Sequence, residues 1–499
     1  MAHSRSSDPI IIVGAGVGGL SAAIYLAAAG ERVIMLEQHN RVGGKMGCWA
    51  SDGFVWDTGP SVLTMRHVLE DVFRAGGTTL DERLTLVPVE PLTRYFYPNG
   101  KRLDATRDLP SFLGQLERLD RRDPEGYLRF AAHAAALHRI TGDVFIYGRP
   151  PVVWDALHVP LRDILQVDGW RTMAGAARAY VHSPEMRQFL GRFATYLGAS
   201  PYRAPAVLNV IAHVELSGGI WYPQGGMYRL VEAYETLARE LGVEIRTETK
   251  VERIEVKDGR VVGVTLTDGS FVPARVVISN VDVTTLYDRL LDPAVGRRQR
   301  RWRRRLPHSG SGFVLMLGVD GVYPELAHHN VLFASDYRRE FDQIFREGIP
   351  PQEPTIYITV TAKRDPEHAP AGCENWFVLL NVPPLGTGYD WAANRQAYRD
   401  LVLDQLALRG LDVRNRIRVE RILTPLELEA ETGAWQGALY GLSSNLLLAA
   451  LMRPHNRARD VRGLYFAGGT AHPGGGVPMV TLSGRTAARM VLEDARQAA

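Results

Sequence analysis

The segment "PIIIVGAGVGGLSAAIYLAAAGERVIMLEQ", which begins at Pro9, constrains the fold of this chain more than any other. Its first part, Ile10 to Val13, is apolar without alternation, which predicts a strand of a parallel sheet covered on both faces. An alanine- and leucine-rich stretch after it predicts a helix closed by Gly30. Arg32 to Leu36 then predict a second strand. The segment therefore predicts a β-α-β unit of a doubly wound α/β fold.

Three glycines between the predicted strand and helix form a G-x-G-x-x-G loop, and an acidic residue ends the second strand. Gly14 allows the tight turn, Gly16 lets the backbone approach a pyrophosphate, and Gly19 lets the helix pack closely on the strand. The helix N-terminus carries a partial positive charge that favours a phosphate. Glu37 is placed to accept hydrogen bonds from a ribose hydroxyl. Together these residues predict a dinucleotide-binding unit.

The unit alone does not distinguish NAD from FAD, but the next stretch, "HNRVGGKMGCWASDGFVWDTGPSV", favours FAD. It resembles the extended FAD signature of the flavin amine oxidase superfamily. The resemblance implies that this loop covers the pyrophosphate and the ribityl chain. The residues that match are Gly43, Gly44, Lys45 (where many members carry Arg), Gly59 and Pro60. Without the resemblance, a β-hairpin with glycine turns is the alternative.

A second strand, glycine loop and helix stand at the other end of the chain, in "GLYFAGGTAHPGGGVPMVTLSGRTAA" from Gly463. FAD is long, so its isoalloxazine ring reaches a part of the fold far from its pyrophosphate. Backbone N–H groups at Gly474 to Val477, where a helix begins, can stabilise the negative charge of the reduced ring. We therefore expect the second unit to hold the same cofactor. The contacts expected at this end are Gly468, Gly476, Val477, Pro478 and Met479.

Histidines provide one catalytic candidate and no predicted metal site. His472 is the titratable residue nearest to the expected position of the ring, where it would orient the flavin edge or receive a proton. The alternative is a structural histidine that hydrogen bonds to loop backbone. His328 and His329 are neighbours on a predicted strand and should point to opposite faces. They also lack a carboxylate or cysteine partner at ligand spacing.

Composition excludes several classes of protein. At 499 residues the chain exceeds what one core normally supports, so two or more domains are expected. The net charge of +3 gives no indication of nucleic-acid binding, which we do not expect. Only Cys48 and Cys373 are present, which argues against a disulfide framework or a zinc-thiolate site. No signal peptide is predicted, and no apolar run reaches the roughly 20 residues of a spanning helix.

The pattern along the chain predicts two domains, each built from separate segments. Residues from about Val68 to Ser217 show helical patterning broken by prolines. From Gly218 a helix returns, followed by strands with a tight turn at Asp258-Gly259, which predicts a β-meander. The first strand of the meander should pass the adenine, with the backbone of Val251 as a contact. Apolar segments beginning at Gly312, Thr355 and Asn375 predict strands of a second sheet.

We therefore predict a discontinuous Rossmann-like FAD-binding domain, with a glutathione reductase-like sheet and a β-meander. An α+β substrate domain with a helical, membrane-facing insert completes the predicted fold. The predicted FAD-binding domain comprises residues 1–85, 218–307 and 456–499. The predicted substrate domain comprises residues 86–217 and 308–455.

Several motifs, in order along nearly the whole chain, are similar to the bacterial-type phytoene desaturase family of the flavin amine oxidase superfamily. They are the Gly14 to Glu37 unit, "RVGGK", "GGIWYPQGGM", "ARVVISNVDV" and "GLYFAGGTAHPGGGVPMVTLSG". The resemblance implies an FAD-dependent carotenoid desaturase that introduces conjugated double bonds into an isoprenoid polyene by hydride transfer to flavin N5. Ala471 and Met479 depart from the usual "G-T-H-P-G-x-G-I-P-G" and are similar to later-acting members, such as hydroxycarotenoid desaturases or carotenoid terminal oxidases.

Two alternatives use the same scaffold: a flavin amine or porphyrinogen oxidase, and a flavin-free protein that escorts prenylated GTPases. The "HPGGGVP" loop argues against the first, and the two intact glycine loops argue against the second. A further dinucleotide loop is not predicted, because "SGSGF" at Ser309 lacks a preceding strand. Electrons are therefore expected to pass from an apolar carotenoid through FAD to oxygen or a quinone.

A carotenoid is insoluble in water and must be taken from a bilayer, which implies a membrane-binding surface. "GRRQRRWRRRLP" from Gly296 holds seven arginines around Trp302, an arrangement suited to anionic head groups. The alternative is a basic helix face that contacts only water. We expect a cytoplasmic protein bound peripherally to the cytoplasmic face of the membrane.

Overall fold

The computed structural model describes residues 8–150, 167–445 and 452–498. The strands are β1 (Ile10–Val13), β2 (Val33–Leu36), β3 (Cys48–Ser51), β4 (Phe54–Asp57), β5 (Leu86–Pro88), β6 (Thr93–Phe96), β7 (Arg102–Ala105), β8 (Trp221–Pro223), β9 (Glu244–Arg246), β10 (Val251–Lys257), β11 (Arg260–Leu266), β12 (Phe271–Pro273), β13 (Val276–Ser279), β14 (Ser311–Asp320), β15 (His329–Leu332), β16 (Ile356–Val360), β17 (Cys373–Val382), β18 (Ile417–Leu423) and β19 (Leu464–Phe466). The α-helices are Val17–Ala28, Arg66–Ala75, Leu80–Arg83, Leu109–Leu119, Asp123–Thr141, Met173–Tyr180, Pro184–Gly191, Val210–Gly218, Tyr228–Glu240, Val283–Thr285, Arg297–Arg305, Tyr337–Asp342, Trp391–Leu408, Pro425–Thr432 and Val477–Ala498.

The first sheet is parallel throughout, with strand order β19-β13-β1-β2-β9. Its central strand β1 is buried on both faces. Ile10 and Ile12 pack against a cluster that includes the helices Val17–Ala28 and Tyr228–Glu240. Ile11 packs on the opposite side, with residues of β10 and β11. The unbroken apolar run is therefore the consequence of cover on both sides, and the predicted Rossmann-like sheet is confirmed.

The predicted meander is confirmed as the antiparallel sheet β10-β11-β12. Asp258 and Gly259 connect the first two strands with φ angles of 51° and 71°. Two consecutive positive φ values define a turn that follows the twist of a hairpin, and the Asp-Gly pair is suited to it.

The second sheet contains seven strands in the order β18-β14-β17-β16-β15-β6-β7. The segments predicted from Gly312, Thr355 and Asn375 form its strands β14, β16 and β17. β6 and β7 were not predicted, because they lie in the region with helical patterning. β6 is four residues long and pairs in parallel with β15, far away in sequence. Local periodicity does not reveal so short a strand, although "YPNGK" marks the turn that joins it to β7.

No helix in the described segments is long and apolar enough to cross a membrane. Part of the predicted membrane-facing insert, residues 151–166, lies outside the described residues. The assignment of the insert, and the division into two domains at the boundaries given above, stay predictions.

Candidate functional site

The first glycine loop connects β1 to the helix Val17–Ala28, where a side chain would collide with backbone. Gly14 has φ = 91°, and a Cβ at Gly19 would lie 2.4 Å from the carbonyl oxygen of Gly14. Gly16 caps the helix without a side-chain hydrogen bond to its first N–H groups. The loop thus presents bare backbone donors at a helix N-terminus, which fits the pyrophosphate of FAD.

Glu37 follows β2 and is 5% exposed. One carboxylate oxygen accepts the Ala15 N–H at 2.8 Å, and the other accepts the His39 N–H at 3.0 Å. The Thr249 N–H donates to the Glu37 carbonyl at 2.7 Å, which brings the segment before Val251 next to Glu37. Glu37 thus holds the glycine loop in place, and each oxygen keeps a further lone pair for a ribose hydroxyl.

The stretch after β2 folds back onto the first glycine loop. The Gly43 N–H donates to the Ala15 carbonyl at 2.8 Å, and a Cβ at Gly44 would lie 3.3 Å from the Gly16 Cα. A Cβ at Gly59 would lie 1.8 Å from the Lys45 carbonyl oxygen. Pro60 follows directly and is half-buried. The structure therefore brings together the residues expected around the pyrophosphate.

Lys45 and Tyr440 connect the two glycine loops. Lys45 Nζ donates to the Leu439 carbonyl at 2.9 Å. The next residue, Tyr440, packs its ring on Gly475, where a Cβ would lie 2.6 Å from the Tyr440 Cδ1. Lys45 is exposed, yet desolvation by the surrounding protein lowers its pKa below the ordinary value. A side chain that lines a deep cleft is both reached by solvent and desolvated by the protein around it.

Asn280 lies between the two glycine loops and was not among the predicted site residues. Its Nδ2 donates to the Ala467 carbonyl at 3.0 Å. Its Oδ1 would be 2.5 Å from a Cβ at Gly16, and its Nδ2 would be 2.5 Å from a Cβ at Gly468. The sequence does hold a signal for it, because a polar residue directly after a buried parallel strand lies at the ligand-binding edge of the sheet.

The second glycine loop packs against the first. A Cβ at Gly18 would lie 2.9 Å from both the Cα and the N of Gly468. The Gly468 N–H donates to Ser483 Oγ at 3.0 Å. The helix Val477–Ala498 crosses the helix Val17–Ala28, and Ser21 Oγ donates to the Thr481 carbonyl at 2.8 Å. The two ends of the chain thus form one continuous surface of glycine backbone.

Four of the residues expected at this end begin the last helix or stand directly before it. Gly476 has φ = 105° and is exposed. Val477 and Pro478 are buried, and Met479 is half-buried. A proline in the first turn costs no hydrogen bond, because the first N–H groups of a helix have no partner within it.

His472 is 4% exposed and is held by backbone hydrogen bonds on both sides. Its N–H donates to the Pro454 carbonyl, and its own carbonyl accepts from Asn456 Nδ2. Burial lowers the pKa of His472 to about 4, so the ring is neutral at neutral pH. Its Nε2 has no hydrogen-bond partner among the described residues.

Arg453 is a second residue that sequence reasoning missed. Its Nη1 donates to the Gly469 carbonyl at 3.1 Å, and its Cζ would lie 3.2 Å from a Cβ at Gly474. Desolvation lowers its pKa to about 10, so it remains a cation at neutral pH. It places a positive charge beside the loop where the reduced flavin would be anionic.

A chain of polar side chains leads from the Gly59-Pro60 turn into the second sheet. Ser61 Oγ lies 2.7 Å from Tyr357 Oη, which lies 2.8 Å from His329 Nδ1. Thr359 Oγ1 donates to the same Tyr357 Oη at 2.6 Å. Sequence reasoning did not find this chain, because its members come from three segments far apart along the chain.

The expectation that His328 and His329 point to opposite faces was wrong. Their ring centroids are 4.4 Å apart. His328 precedes β15, so strand alternation does not separate the two rings. Burial lowers the pKa of His329 well below its ordinary value, and that of His328 to about 3. Within the described segments no group of three or more His, Cys, Asp or Glu side chains is arranged to hold a metal ion.

Comparison with known proteins agrees with this geometry. The family model "Flavin containing amine oxidoreductase" matches residues 17–492. The chain is 37% identical to a 4,4'-diapolycopene oxygenase of Methylomonas sp over 500 residues, 99% of each chain. It is 36% identical to a 4,4'-diaponeurosporene oxygenase of Staphylococcus aureus over 492 residues, 98% of each chain. An oxidoreductase from Methanosarcina mazei shares the fold, with a TM-score of 0.64, 19% identity and coverage of 97% of this chain and all of the other.

Proposed function

The chain belongs to the family of flavin-containing amine oxidoreductases, and from this premise we propose that it oxidises a terminal carbon of an acyclic carotenoid. In this proposal a terminal allylic methyl group would lose a hydride to the cofactor and take a hydroxyl group from water, with release of a proton, to give the alcohol. Loss of a second hydride and a proton would then give the aldehyde. The observation that carries it is the similarity, over nearly the full length of both chains, to a protein named 4,4'-diapolycopene oxygenase. FAD, when bound, supplies the two-electron acceptor.

Allylic C–H bonds of a polyene suit the few polar groups near the glycine loops. Positive charge that develops on the carbon is delocalised along the conjugated chain, so strong protein acids and bases are not needed. The protein's tasks are to hold the cofactor and to position the carbon. In the proposal the first glycine loop, Glu37 and Lys45 bind the pyrophosphate and ribose, and Arg453 and the second glycine loop contact the flavin ring. His472 orients the edge of that ring.

Pigment analysis after co-expression tests the reaction. Cells that make 4,4'-diapolycopene or 4,4'-diaponeurosporene would receive the gene, and their carotenoids would be separated and identified by mass. The proposal requires products in which the substrate has gained one oxygen atom and lost two hydrogens. Unchanged pigments in cells that contain soluble, FAD-loaded protein would contradict it.

Desaturation is the second candidate, because the "HPGGGVP" loop and the motifs around it are similar to those of phytoene desaturases. The same experiment with phytoene or neurosporene separates the two reactions. A desaturase yields products that have lost hydrogen without gaining oxygen. In either case oxygen or a quinone is the proposed final electron acceptor.

The arginine-rich helix Arg297–Arg305 supports a proposed contact with the cytoplasmic face of a membrane. Arg303 is buried over the Tyr287 ring, and Arg300 donates to the Tyr287 carbonyl, so these two hold the helix to the protein. Trp302 is 39% exposed. The arginines left exposed to solvent without an ion pair to a described residue are Arg297, Arg298, Arg301 and Arg305.

Flotation with liposomes tests this contact. Replacing the four exposed arginines of the helix that lack an ion pair by serine should abolish binding to vesicles rich in anionic lipid, because each cation contributes about 1 kcal/mol near such a surface. A matched variant removes four exposed arginines elsewhere that also have no ion pair to a described residue: Arg102, Arg118, Arg121 and Arg260. If the two variants float equally with the vesicles, the helix is not the membrane anchor.

A further inference from the structure

The Ser61–Tyr357–His329 chain is a polar feature that a hydrocarbon substrate does not require. His329 is fully buried, and Thr359 is 2% exposed. Burying polar groups costs free energy unless each finds a partner, so an apolar lining would be the simpler solution for a pure hydrocarbon. Ser61 and Thr359 also line a small cavity of about 10 Å³, room for about one water or one hydroxyl group.

The position of Ser61 links the chain to the site. Ser61 follows the Gly59-Pro60 turn. Gly59 packs on the backbone of Lys45, and Lys45 directly follows Gly44, which packs on Gly16. Ser61 is half-buried and lines the small cavity. The other end of the chain, at His329, is closed to solvent.

The hydroxyl groups of the chain can all donate in the direction of His329. Thr359 donates to Tyr357 Oη. With His329 as the acceptor at Nδ1, the Tyr357 hydroxyl donates its only hydrogen there, and its remaining lone pair accepts from Ser61. In this arrangement the Ser61 hydroxyl donates its hydrogen to Tyr357, while no residue in the described part of the chain donates to the Ser61 Oγ lone pairs. A free lone pair accepts a hydrogen bond from an alcohol, whereas a methyl group offers none.

We propose that Ser61 binds the hydroxyl group of a carotenoid primary alcohol, with Tyr357 and His329 as positioning residues. This inference rests on the proposed function and names the substrate of its second oxidation step, from the alcohol to the aldehyde. In the complex the alcohol O–H donates to Ser61 Oγ, the Ser61 hydroxyl donates to Tyr357 Oη, and the Tyr357 hydroxyl donates to His329 Nδ1. Burial lowers the pKa of His329 well below its ordinary value, so His329 stays neutral and can accept this hydrogen bond.

The first test compares products. Tyr357→Phe keeps the ring and removes the hydroxyl, so the chain is interrupted while the fold is retained. We expect this variant to convert the alcohol to the aldehyde about tenfold more slowly, because the hydrogen bond that holds Ser61 in position for the alcohol is lost. Oxidation of the methyl group should continue, so the alcohol accumulates in place of the aldehyde. Ser61→Ala should give the same accumulation by removing the group that contacts the substrate.

Tyr337→Phe is the matched control. Tyr337 is also buried near the second sheet, and its hydroxyl has no partner among the described residues. The control variant should make the aldehyde at the wild-type rate. An effect of equal size in Tyr337→Phe and Tyr357→Phe would overturn the proposal, because a general loss of stability would then explain both.

The second test measures binding without turnover. Holoenzyme reduced under anaerobic conditions is titrated with the carotenoid alcohol and with the parent hydrocarbon, and the carotenoid absorption band reports binding. Wild type should bind the alcohol more tightly, and Tyr357→Phe and Ser61→Ala should lose that preference while binding the hydrocarbon as before. Equal affinities for alcohol and hydrocarbon in wild type would overturn the role of Ser61.

The two tests distinguish this inference from the proposed function. If wild type oxidises no carotenoid, the proposed function fails. If wild type makes the aldehyde and Tyr357→Phe makes as much, the proposed function stands and the Ser61–Tyr357–His329 chain has no part in it.

Discussion

Gly484, on the last helix, is a residue at which the first and last helices pack closely. A Cβ there would lie 2.3 Å from the Gly18 carbonyl oxygen and 2.8 Å from the Ala22 nitrogen. Both are backbone atoms of the helix Val17–Ala28, so no side-chain rotation relieves the contact. Gly484→Ala must therefore move one helix away from the other, and with it the first glycine loop.

The magnitude follows from two opposing effects. Alanine is about 1 kcal/mol better than glycine inside a helix. An extra methyl group forced into a close-packed contact costs about 1–3 kcal/mol. A distance of 2.3 Å to a carbonyl oxygen places this contact at the upper end of that range. We expect Gly484→Ala to lower the free energy of unfolding by about 2 kcal/mol. Because Gly18 lies in the first turn of the helix whose N-terminus is proposed to bind the pyrophosphate, FAD affinity should fall about tenfold, equivalent to about 1.4 kcal/mol.

Gly114→Ala provides the control. Gly114 lies within the helix Leu109–Leu119, and a Cβ there meets nothing within 4 Å. The same substitution should therefore stabilise the protein by up to about 1 kcal/mol. Urea unfolding of both holoenzymes, with the release of FAD followed by its fluorescence, measures the two effects. If Gly484→Ala is as stable as Gly114→Ala and keeps its FAD, the close crossing of the first and last helices is refuted.

Three further predictions concern single side chains of the site. Glu37→Gln leaves the Ala15 or the His39 N–H without its acceptor, at a cost of about 1–3 kcal/mol, so FAD should bind more weakly in calorimetric titration; unchanged affinity would contradict this. Burial raises the pKa of Asp57 from 3.8 to about 6, so between about pH 4 and 6 the folded chain holds a proton that the unfolded chain has released. The free energy of unfolding should then fall by up to about 3 kcal/mol as the pH rises through that window, and urea titrations of Asp57→Asn should lack this slope. His472→Ala should slow single-turnover flavin reduction about tenfold, because the flavin edge is no longer held in its orientation. The pH dependence above about pH 5 should not change, because the His472 ring is neutral there. An unchanged reduction rate in stopped-flow measurements would contradict a catalytic role for His472.

The parts of the fold that the sequence predicts are those whose cause is local. β1 is recognisable because cover on both faces requires an unbroken apolar run, and Asp258-Gly259 because a tight hairpin requires positive φ. The glycines of both loops are recognisable for the same reason, since a side chain there would strike backbone. Each of these constraints acts within a few residues and leaves a readable pattern.

The parts that escaped prediction depend on contacts between distant segments. β6 has partners in β7 and in β15, and only the first is close in sequence. Lys45 finds the Leu439 carbonyl 394 residues away, and Ser61 finds Tyr357 at a separation of 296. Side chains such as these form hydrogen bonds wherever the fold brings a partner close, so no spacing pattern in the sequence predicts these contacts.

Strand order explains why units from opposite ends of the chain lie together at one edge of the sheet. In a parallel sheet the carboxyl ends of all strands lie at the same edge, and β13 stands between β1 and β19. The residue that follows β13 must therefore lie between the loop that follows β1 and the loop that follows β19. That residue is Asn280, which lies against both Gly16 and Gly468. The last strand has to enter the sheet beside β13 for the second loop to reach the first. The proposed FAD site is therefore complete only when the last strand and the last helix are in place.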